Sequence, residues 1–243
     1  MKKTLCLDFG NTRLKCALFE GANFIEEMVL PKNDLSFLEE LVQKHQPQNS
    51  ILSSVINHDP AVETLLNNNT NFHKLSHLTK LNFTTPVSKP ATIGADRLAL
   101  VAAAVHFHAE KNNLVIGLGT CITYNFVNQN HQFTGGSISP GMEMRFKAMQ
   151  EQTALLPLAQ KNWNFPIIGY DTITNLQSGV IAGMGFEIDG FINYYASKFS
   201  NFNVILTGGD AGYFATKIKN KIFADTNFLF KGLYAISEIN NQS

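Results

Sequence analysis

The sequence has few cysteines, no net charge and no long apolar run. Its three cysteines show neither a CxxC spacing nor an evident pairing, which argues against a disulfide framework and for a reducing compartment. The 19 basic and 19 acidic residues balance, so no overall charge attracts the chain to nucleic acid or to an anionic membrane. No apolar run reaches the roughly 18 residues of a membrane span, and the basic start lacks the apolar core of a signal peptide. We therefore expect a cytoplasmic protein that binds neither membranes nor nucleic acid.

The order of apolar segments indicates an α/β protein built from two similar halves. The chain has 243 residues, of which 44% are hydrophobic, enough for one large domain or two of ordinary size. Strands are predicted at 4–8, 14–19 and 24–30, followed by a helix, a buried strand at 50–56 and a second helix. After an apolar helix over 97–109, a second strand–turn–strand unit follows at 114–119 and 122–127. The repetition predicts two similar domains, 1–108 and 109–243, with a cleft between them.

The first predicted strand ends in DFGNTR, which is either a polar hairpin turn or a phosphate-binding loop. Backbone N–H groups around Gly10 can form a concavity for phosphate oxygens. The side chains of Asn11 and Thr12 offer further donors, Lys15 offers positive charge, and Asp8 can hold Mg²⁺ through water. The turn alone does not decide between the two interpretations.

Four further glycine motifs follow along the chain, and each also has a purely structural explanation. GADR at 94–97 is typical of a capped helix start, and GLGT at 117–120 and TGGD at 207–210 are typical of tight turns. GGSISPG at 135–141 is typical of a glycine-rich loop before a helix that begins at Pro140. The order of all five motifs in one chain is more informative than any one of them.

This series of motifs resembles the type III pantothenate kinases, a family in the superfamily of actin and of the acetate and sugar kinases. The matching segments are DFGNT (8–12), GADR (94–97), GT (119–120), GGSISPG (135–141), Thr172 with Ser178-Gly179, and TGGD (207–210), and they span essentially the whole chain. The resemblance implies duplicated actin-like (ribonuclease H-like) domains with a nucleotide cleft between them. It also implies a cytoplasmic homodimer that uses ATP with Mg²⁺ to phosphorylate pantothenate to 4'-phosphopantothenate, the first step of coenzyme A biosynthesis.

The resemblance further assigns individual residues to roles. It makes Asp96 the catalytic general base and Asp8 the Mg²⁺ ligand. The residues assigned to ATP are Asp8, Phe9, Gly10, Asn11, Thr12, Arg13, Leu14, Lys15, Gly119, Thr120, Gly208 and Gly209. Those assigned to pantothenate are Val87, Gly94, Ala95, Asp96, Arg97 and Thr172. The planar guanidinium of Arg97 suits a carboxylate, which pantothenate has. An ordinary aspartate has a pKa near ~3.9, so we expect Asp96 to be ionised at neutral pH.

Three positions depart from the family pattern. Gly117 stands where the family has an acid that binds a monovalent cation, K⁺ or NH₄⁺, and Asn125 stands where a second acid is common. Val87 replaces a usual substrate-contacting tyrosine. These changes make the cation site doubtful here. They leave two alternatives open: a catalytically impaired nucleotide-binding relative with a regulatory or partner-binding role, and a kinase for another small alcohol. The retained Asp96 favours an active enzyme.

The long apolar helix predicted at 172–199 also suggests a homodimer. Its large apolar side chains exceed what one buried face of a helix requires. They are Ile181, Phe186, Ile188, Phe191, Ile192 and Tyr195. We expect the pantothenate pocket to lie close to the interface between the subunits.

Overall fold

The computed structural model describes residues 1–32, 34–85 and 90–241, and within these ranges the chain forms two five-stranded sheets and eight α-helices. The strands of the first sheet are β1 (Lys3–Phe9), β2 (Leu14–Glu20), β3 (Asn23–Leu30), β4 (Asn49–Ser54) and β5 (Asn71–Lys74). Those of the second are β6 (Asn112–Leu118), β7 (Cys121–Val127), β8 (Phe133–Pro140), β9 (Phe202–Gly208) and β10 (Phe223–Ala224). The helices are α1 (Leu35–His45), α2 (Pro60–Asn69), α3 (Ala95–Phe107), α4 (Met142–Glu151), α5 (Thr172–Gln177), α6 (Gly183–Lys198), α7 (Ala211–Phe214) and α8 (Phe228–Asn240).

The two sheets have the same topology, which confirms the predicted duplication. The strand order is β3-β2-β1-β4-β5 in the first sheet and, read in the same sense, β8-β7-β6-β9-β10 in the second. In each sheet the central strand pairs antiparallel with the next strand of the chain and parallel with a later one: β1 with β2 and β4, β6 with β7 and β9. The predicted succession of three strands, helix, strand and helix in the first half is confirmed.

The chain separates into two compact units. The first comprises Met1–Ala109, Gln129–Thr134 and the C-terminal residues from Asn227 onward, and the second comprises Glu110–Asn128 and Gly135–Thr226. In the first unit, apolar side chains of β1 and β4 pack with those of α1 and α2. The helix α8 contacts β1 and β4 and also packs along α3. The C-terminal helix is therefore an integral part of the first unit.

The helix α3 has apolar side chains on all sides and is buried. Its residues 98–105 are buried without interruption, as the sequence predicts, although the helix begins at Ala95 and ends at Phe107 rather than spanning 97–109. Its crossing with α8 is close, because a Cβ atom at Gly232 would lie 1.9 Å from the carbonyl oxygen of Ala99. Only glycine fits at that point of the crossing.

The core of the second unit lies between its sheet and the helices α4 to α7. Buried side chains of β6, β7 and β9 pack with those of α4 and α6. The predicted helix over 172–199 is observed as α5 and α6 joined by a π-helical turn at Ser178–Ala182. The predicted helix start at Pro140 is wrong, because β8 extends through Pro140 and α4 begins at Met142.

Cys6 and Cys16 are buried, Cys121 is partly exposed, and all three are free thiols. In residues 1–32, 34–85 and 90–241 we find no helix with the length and hydropathy needed to cross a bilayer.

Candidate active site

The turn between β1 and β2 carries the first predicted phosphate loop. The N–H of Gly10 donates to the carbonyl of Arg13 at 3.1 Å, so this N–H closes the turn instead of facing a ligand. Asn11, Thr12 and Arg13 are exposed at its tip, where they present an amide, a hydroxyl and a guanidinium. Phe9 is buried in the core of the first unit, so only its backbone could contact a nucleotide, and Leu14 packs against that core while remaining partly exposed. The polar tip is the part of this loop that suits phosphate.

Lys15 lies directly across the β1–β2 ladder from Asp8, on the same face of the sheet. Its ammonium nitrogen is 2.5 Å from Glu27 Oε1 on β3. The two side chains are 30% and 24% exposed, so the pair is largely shielded from solvent. Sequence reasoning missed Glu27. The diagonal position of Glu27 relative to Lys15 on paired strands is the signal that could have found it.

Asp8, at the end of β1, has a strongly perturbed carboxyl group. Burial raises its pKa, and the negative charge of Asp96 raises it further, to about 7. The hydroxyl of Ser53 donates to Asp8 Oδ1 at 3.3 Å and, with the charge of Lys15, acts in the opposite direction. Ser53 was not among the predicted site residues, although β4 pairs parallel with β1 and so places Ser53 beside Asp8.

Asp96 lies in the first turn of α3, as GADR predicts. Burial raises its pKa, while the backbone N–H and the charge of Arg97 act in the opposite direction. The expectation of an ordinary aspartate pKa is therefore wrong, and the reason is desolvation of the carboxylate. A higher pKa makes Asp96 a better proton acceptor than a solvent-exposed aspartate.

The residues around Asp96 fix its orientation and its charge environment. Gly94 caps the helix, and a Cβ atom there would lie 2.5 Å from Asp96 Oδ1, so glycine leaves room for the carboxylate. Ala95 is the first residue of α3. The guanidinium carbon of Arg97 lies 5.6 Å from the centre of the Phe133 ring, a cation–π contact that holds it beside the helix start.

The first unit offers a limited set of groups for Mg²⁺. In the part of the chain that the structure describes, no group of three or more His, Cys, Asp or Glu side chains is arranged around a common point. The Asp8 carboxylate nonetheless suits a divalent cation. It is buried and lies near the negative charge of Asp96, and a bound cation would offset both effects. Mg²⁺ is commonly held by one or two carboxylates together with water and substrate phosphates, and Asp8 can supply such a carboxylate.

The turn between β6 and β7 carries the second predicted phosphate loop, in the second unit. The N–H of Gly119 donates to the carbonyl of Cys121 at 3.1 Å, and both Gly119 and Thr120 are exposed. The N–H of Gly141 donates to the carbonyl of Thr120 at 3.0 Å. A Cβ atom at Gly141 would lie 2.3 Å from the Gly119 oxygen and 2.5 Å from that of Thr120. The backbone at Gly141 thus packs directly against the backbone of the Gly119–Thr120 turn, where a side chain would not fit.

The TGGD motif ends β9 beside this second loop. Gly208 is the register partner of Leu118, has a φ of +99°, and would place a Cβ atom 2.3 Å from the Leu118 carbonyl oxygen. Gly209 follows it on the surface, where a Cβ atom would meet nothing within 4 Å. The structure therefore brings the predicted nucleoside motif and the second loop together in one unit.

The remaining predicted positions have different surroundings. Gly117 is the register partner of Thr123 on β7 and of Thr207 on β9. The buried Asn125 donates from Nδ2 to the Val115 carbonyl at 3.2 Å and to Thr123 Oγ1 at 3.1 Å. A carboxylate cannot make these two donations, so the amide has its own structural role here.

Thr172 is the exposed first residue of α5, directly after its N-cap Asp171. It belongs to the second unit, whereas Gly94, Ala95, Asp96 and Arg97 belong to the first. Val87 lies outside the described residues.

A cavity of about 330 Å³ elsewhere in the second unit contains none of the residues predicted to bind ATP, Mg²⁺ or pantothenate. Its lining consists of Phe186, Asp189, Gly190, Asn193, Lys219 and Asn220. The residues predicted for the site lie instead around the turns after β1 and β6, at the end of β9 and at the starts of α3 and α5.

Solved structures of low sequence identity share this fold. A Baf family protein from Campylobacter jejuni superposes with a TM-score of 0.62 at 20% identity, covering 98% of this chain and 100% of its own. The inorganic polyphosphate/ATP-glucomannokinase of Arthrobacter sp. strain KM superposes with a TM-score of 0.50 at 14% identity over the full length of both chains. Together with the two sheets of matching topology, these likenesses identify duplicated actin-like domains.

Closer relatives are found by sequence. The type III pantothenate kinase of Christiangramia forsetii is 42% identical over 238 residues, covering 97% of this chain and 98% of the relative. That of Flavobacterium johnsoniae is 41% identical over 231 residues, covering 94% and 95%. The family model described as type III pantothenate kinase matches residues 4–194. The chain therefore belongs to the type III pantothenate kinase family.

Proposed function

We propose that this protein transfers the γ-phosphoryl group of ATP to pantothenate and so makes 4'-phosphopantothenate, in the first step of coenzyme A biosynthesis. The observation that carries this proposal is the near-full-length identity of 41–42% to proteins named type III pantothenate kinase. The electrostatics of the first unit support it, because a partly desolvated aspartate at the start of α3 is suited to accept a proton.

In the proposed reaction Asp96 acts as the general base. The substrate hydroxyl oxygen attacks the γ-phosphorus, the bond to the β,γ-bridging oxygen breaks, and ADP leaves. The hydroxyl proton passes to the Asp96 carboxylate. Because the transition state of phosphoryl transfer is loose, the protein contributes mainly positioning and charge neutralisation. We assign Arg97 to the pantothenate carboxylate, and Gly94, Ala95 and Thr172 to further substrate contacts.

We assign the two loops to the phosphates of ATP. In the first loop, Asn11, Thr12 and Arg13 supply donors from the exposed tip, and Lys15 supplies positive charge. In the second, Gly119 and Thr120 supply backbone and hydroxyl groups, and Gly208 and Gly209 border the nucleoside. Bound Mg²⁺, held by Asp8, would neutralise phosphate charge.

The experiment is a turnover assay of the purified protein with Mg-ATP and pantothenate, followed by mass spectrometry of the product. Phosphopantothenate in the complete mixture, and none without ATP, is the expected result. Family membership does not favour the two alternatives, a silent nucleotide-binding relative and a kinase for another alcohol. A protein that binds ATP without phosphorylating pantothenate would refute the proposal.

We further propose that the repeats divide at residues 108 and 109, because the strands of one sheet lie entirely before this point and those of the other entirely after it. A cytoplasmic location is proposed from the buried thiols of Cys6 and Cys16, which a reducing compartment preserves.

A homodimer is supported by the surface of the second unit, although not by the residues expected from the sequence. Of the six apolar side chains predicted to exceed one face, only Phe186 is prominently exposed, at 65%. The others lie in the unit's own core or against it. The segment before α5 also carries exposed apolar side chains: Leu155, Leu158, Ile167, Ile168 and Tyr170. An apolar surface of this kind is typical of a subunit interface.

We therefore propose a dimer formed around this segment, with Thr172 close to the interface. Light scattering should give twice the mass of one chain, and Ile168→Asp should shift the mass toward the monomer. A monomer at micromolar concentration would contradict the proposal.

A further inference from the structure

Four polar side chains of the second unit form a hydrogen-bonded cluster that none of the site assignments uses. Glu187 on α6 is at its centre, where Oε1 accepts from Tyr124 Oη at 2.8 Å and from Ser139 Oγ at 2.5 Å. The guanidinium of Arg145 on α4 donates to the other carboxylate oxygen, Oε2. The side chains of Arg145 and Glu187 are 21% and 22% exposed, so the ion pair is mostly shielded from water.

Arg145 extends this cluster to the end of β8. Its Nε donates to the carbonyl of Pro140 at 2.8 Å, and its guanidinium also donates to Ser139 Oγ at 3.3 Å. Because β8 is an edge strand, the sheet holds it on one side only. The planar fork of Arg145 therefore ties the last two residues of β8 to Glu187 on α6.

Gly141 connects the end of β8 to the second phosphate loop. It directly follows Pro140, and its N–H donates to the carbonyl of Thr120 at 3.0 Å. The space beside it is filled by backbone, because a Cβ atom at Gly141 would overlap the carbonyl oxygens of Gly119 and Thr120. A displacement of Pro140 would therefore displace Thr120.

We propose that Glu187 and Arg145 are positioning residues, which hold the Gly119–Thr120 turn in the conformation that receives phosphate oxygens. The inference rests on the proposed function, because it takes ATP phosphates to bind at Thr120. Burial alone would raise the pKa of Glu187, but the hydrogen bonds from Arg145, Ser139 and Tyr124 outweigh it and lower that pKa. The carboxylate is thus ionised at neutral pH and keeps Arg145 in place.

The test compares ATP binding with turnover in Glu187→Gln, which keeps the size of the side chain and removes its charge. We expect the Kd for ATP, measured by titration calorimetry without pantothenate, and the KM for ATP to rise about tenfold. The KM for pantothenate should stay unchanged and kcat at saturating ATP should fall less than threefold. Arg145→Lys keeps the positive charge but removes the planar guanidinium, so it should raise the Kd and KM for ATP in the same way. It replaces Glu187→Gln in the test if that variant does not fold.

Asp189→Asn is the matched control. Asp189 lies two residues from Glu187 on α6, but its carboxylate accepts from the backbone N–H groups of Lys219 and Asn220 instead of from Arg145. Its ATP affinity should equal that of the wild type.

Three results would overturn the inference. They are an unchanged ATP Kd in a folded Glu187→Gln, an equal rise of KM for both substrates, and the same loss of ATP affinity in Asp189→Asn. The proposed function would fail separately if the wild type bound ATP but made no phosphopantothenate. In that case the Kd for ATP of Glu187→Gln, compared with that of the wild type, would still decide the role of Glu187. A wild type that does not bind ATP would overturn both.

Discussion

The two sheets share one strand order, but the loops at the ends of their central strands differ in chemistry. After β1, the first unit gathers charged side chains, with Asp8, Lys15, Glu27 and Asp96 close enough to influence one another. The turn after β6 consists of the small neutral residues Gly119 and Thr120, and beside it Gly141 and Gly208 bring backbone into contact with backbone.

This difference shows that one scaffold can support two kinds of ligand contact. A charged loop works through desolvation and mutual repulsion, so it depends on pH and on the ion that neutralises it. A glycine loop works through close approach of the backbone, so it depends on the absence of a Cβ atom. Substitutions in the two units can therefore separate the dependence on charge from the dependence on close backbone approach.

The largest effect is expected for Asp96→Asn in the first unit. An amide cannot accept the proton of the substrate hydroxyl, so kcat should fall by ~100-fold or more. Affinity for ATP, measured by titration calorimetry, should stay within about twofold, because Asp96 is assigned to the acceptor substrate. Asp59→Asn, at the N-cap of α2 in the same unit, is the control and should retain full turnover. Near-normal kcat in Asp96→Asn would show that another group is the base.

The next largest effect is expected for Gly208→Ala in the second unit. A methyl group would lie 2.3 Å from the Leu118 carbonyl, at a φ of +99° that alanine rarely adopts. We expect the free energy of unfolding to fall by about 3 kcal/mol and ATP affinity to fall with it. The neighbouring Gly209→Ala meets nothing within 4 Å and should change stability by less than about 0.5 kcal/mol. Equal urea midpoints for the two variants would refute the role of close approach.

An effect confined to one side of a pH range is expected from the titration of Asp8 in the nucleotide-free protein. Its pKa is about 7 in the folded protein against 3.8 for an ordinary aspartate, so between these values the folded chain binds the proton and the unfolded chain does not. Stability of the wild type should therefore fall as pH rises from about 4 to 7. Asp8→Asn lacks this loss and should be more stable by about 4 kcal/mol at pH 8, with little difference near pH 4.

Urea denaturation across this pH range measures the effect of Asp8. If the free energies of unfolding of the wild type and Asp8→Asn differed by the same amount at every pH, the raised pKa of this carboxylate would be contradicted. Asp59→Asn again serves as the control.

The smallest effect is expected from monovalent cations. Gly117 and Asn125 supply no countercharge near the second loop, so desolvation of K⁺ would not be compensated. We propose that the enzyme needs no such ion, and turnover in K⁺, NH₄⁺ and Na⁺ at equal ionic strength should agree within about twofold. Gly117→Asp restores the acid and should introduce activation by K⁺. Strong activation of the native protein by K⁺ would contradict the proposal.

The placement of the candidate loops could be predicted from the sequence because each loop directly follows an apolar strand. Asp8, Asp96, Thr120 and Gly208 all lie at the start of a helix or the end of a strand, as their motifs indicate. The pairing between distant strands could not be predicted in the same way. Ser53 is beside Asp8 only because β4 pairs with β1, and no local pattern encodes that neighbour.

The remaining differences arise where tertiary contacts override local preference. The first six residues of GGSISPG contain two glycines and a proline, yet they are part of an edge strand paired with β7. Gly136 there has a φ of +152°, and a Cβ atom would lie 1.7 Å from the Tyr124 carbonyl oxygen, so glycine permits the pairing instead of preventing it. The pKa of Asp96 is similarly a property of its packed surroundings, which the motif GADR does not reveal.

The position of α8 has a consequence for synthesis of the chain. The helix α8 leaves the ribosome only after the second unit, and Gly232 must reach Ala99 before the crossing with α3 can form. The second unit is translated entirely in between. Domains usually fold in the order in which they emerge. Here β1, β4 and α3 are translated before the second unit, but their apolar surfaces stay incompletely covered until α8 has been translated.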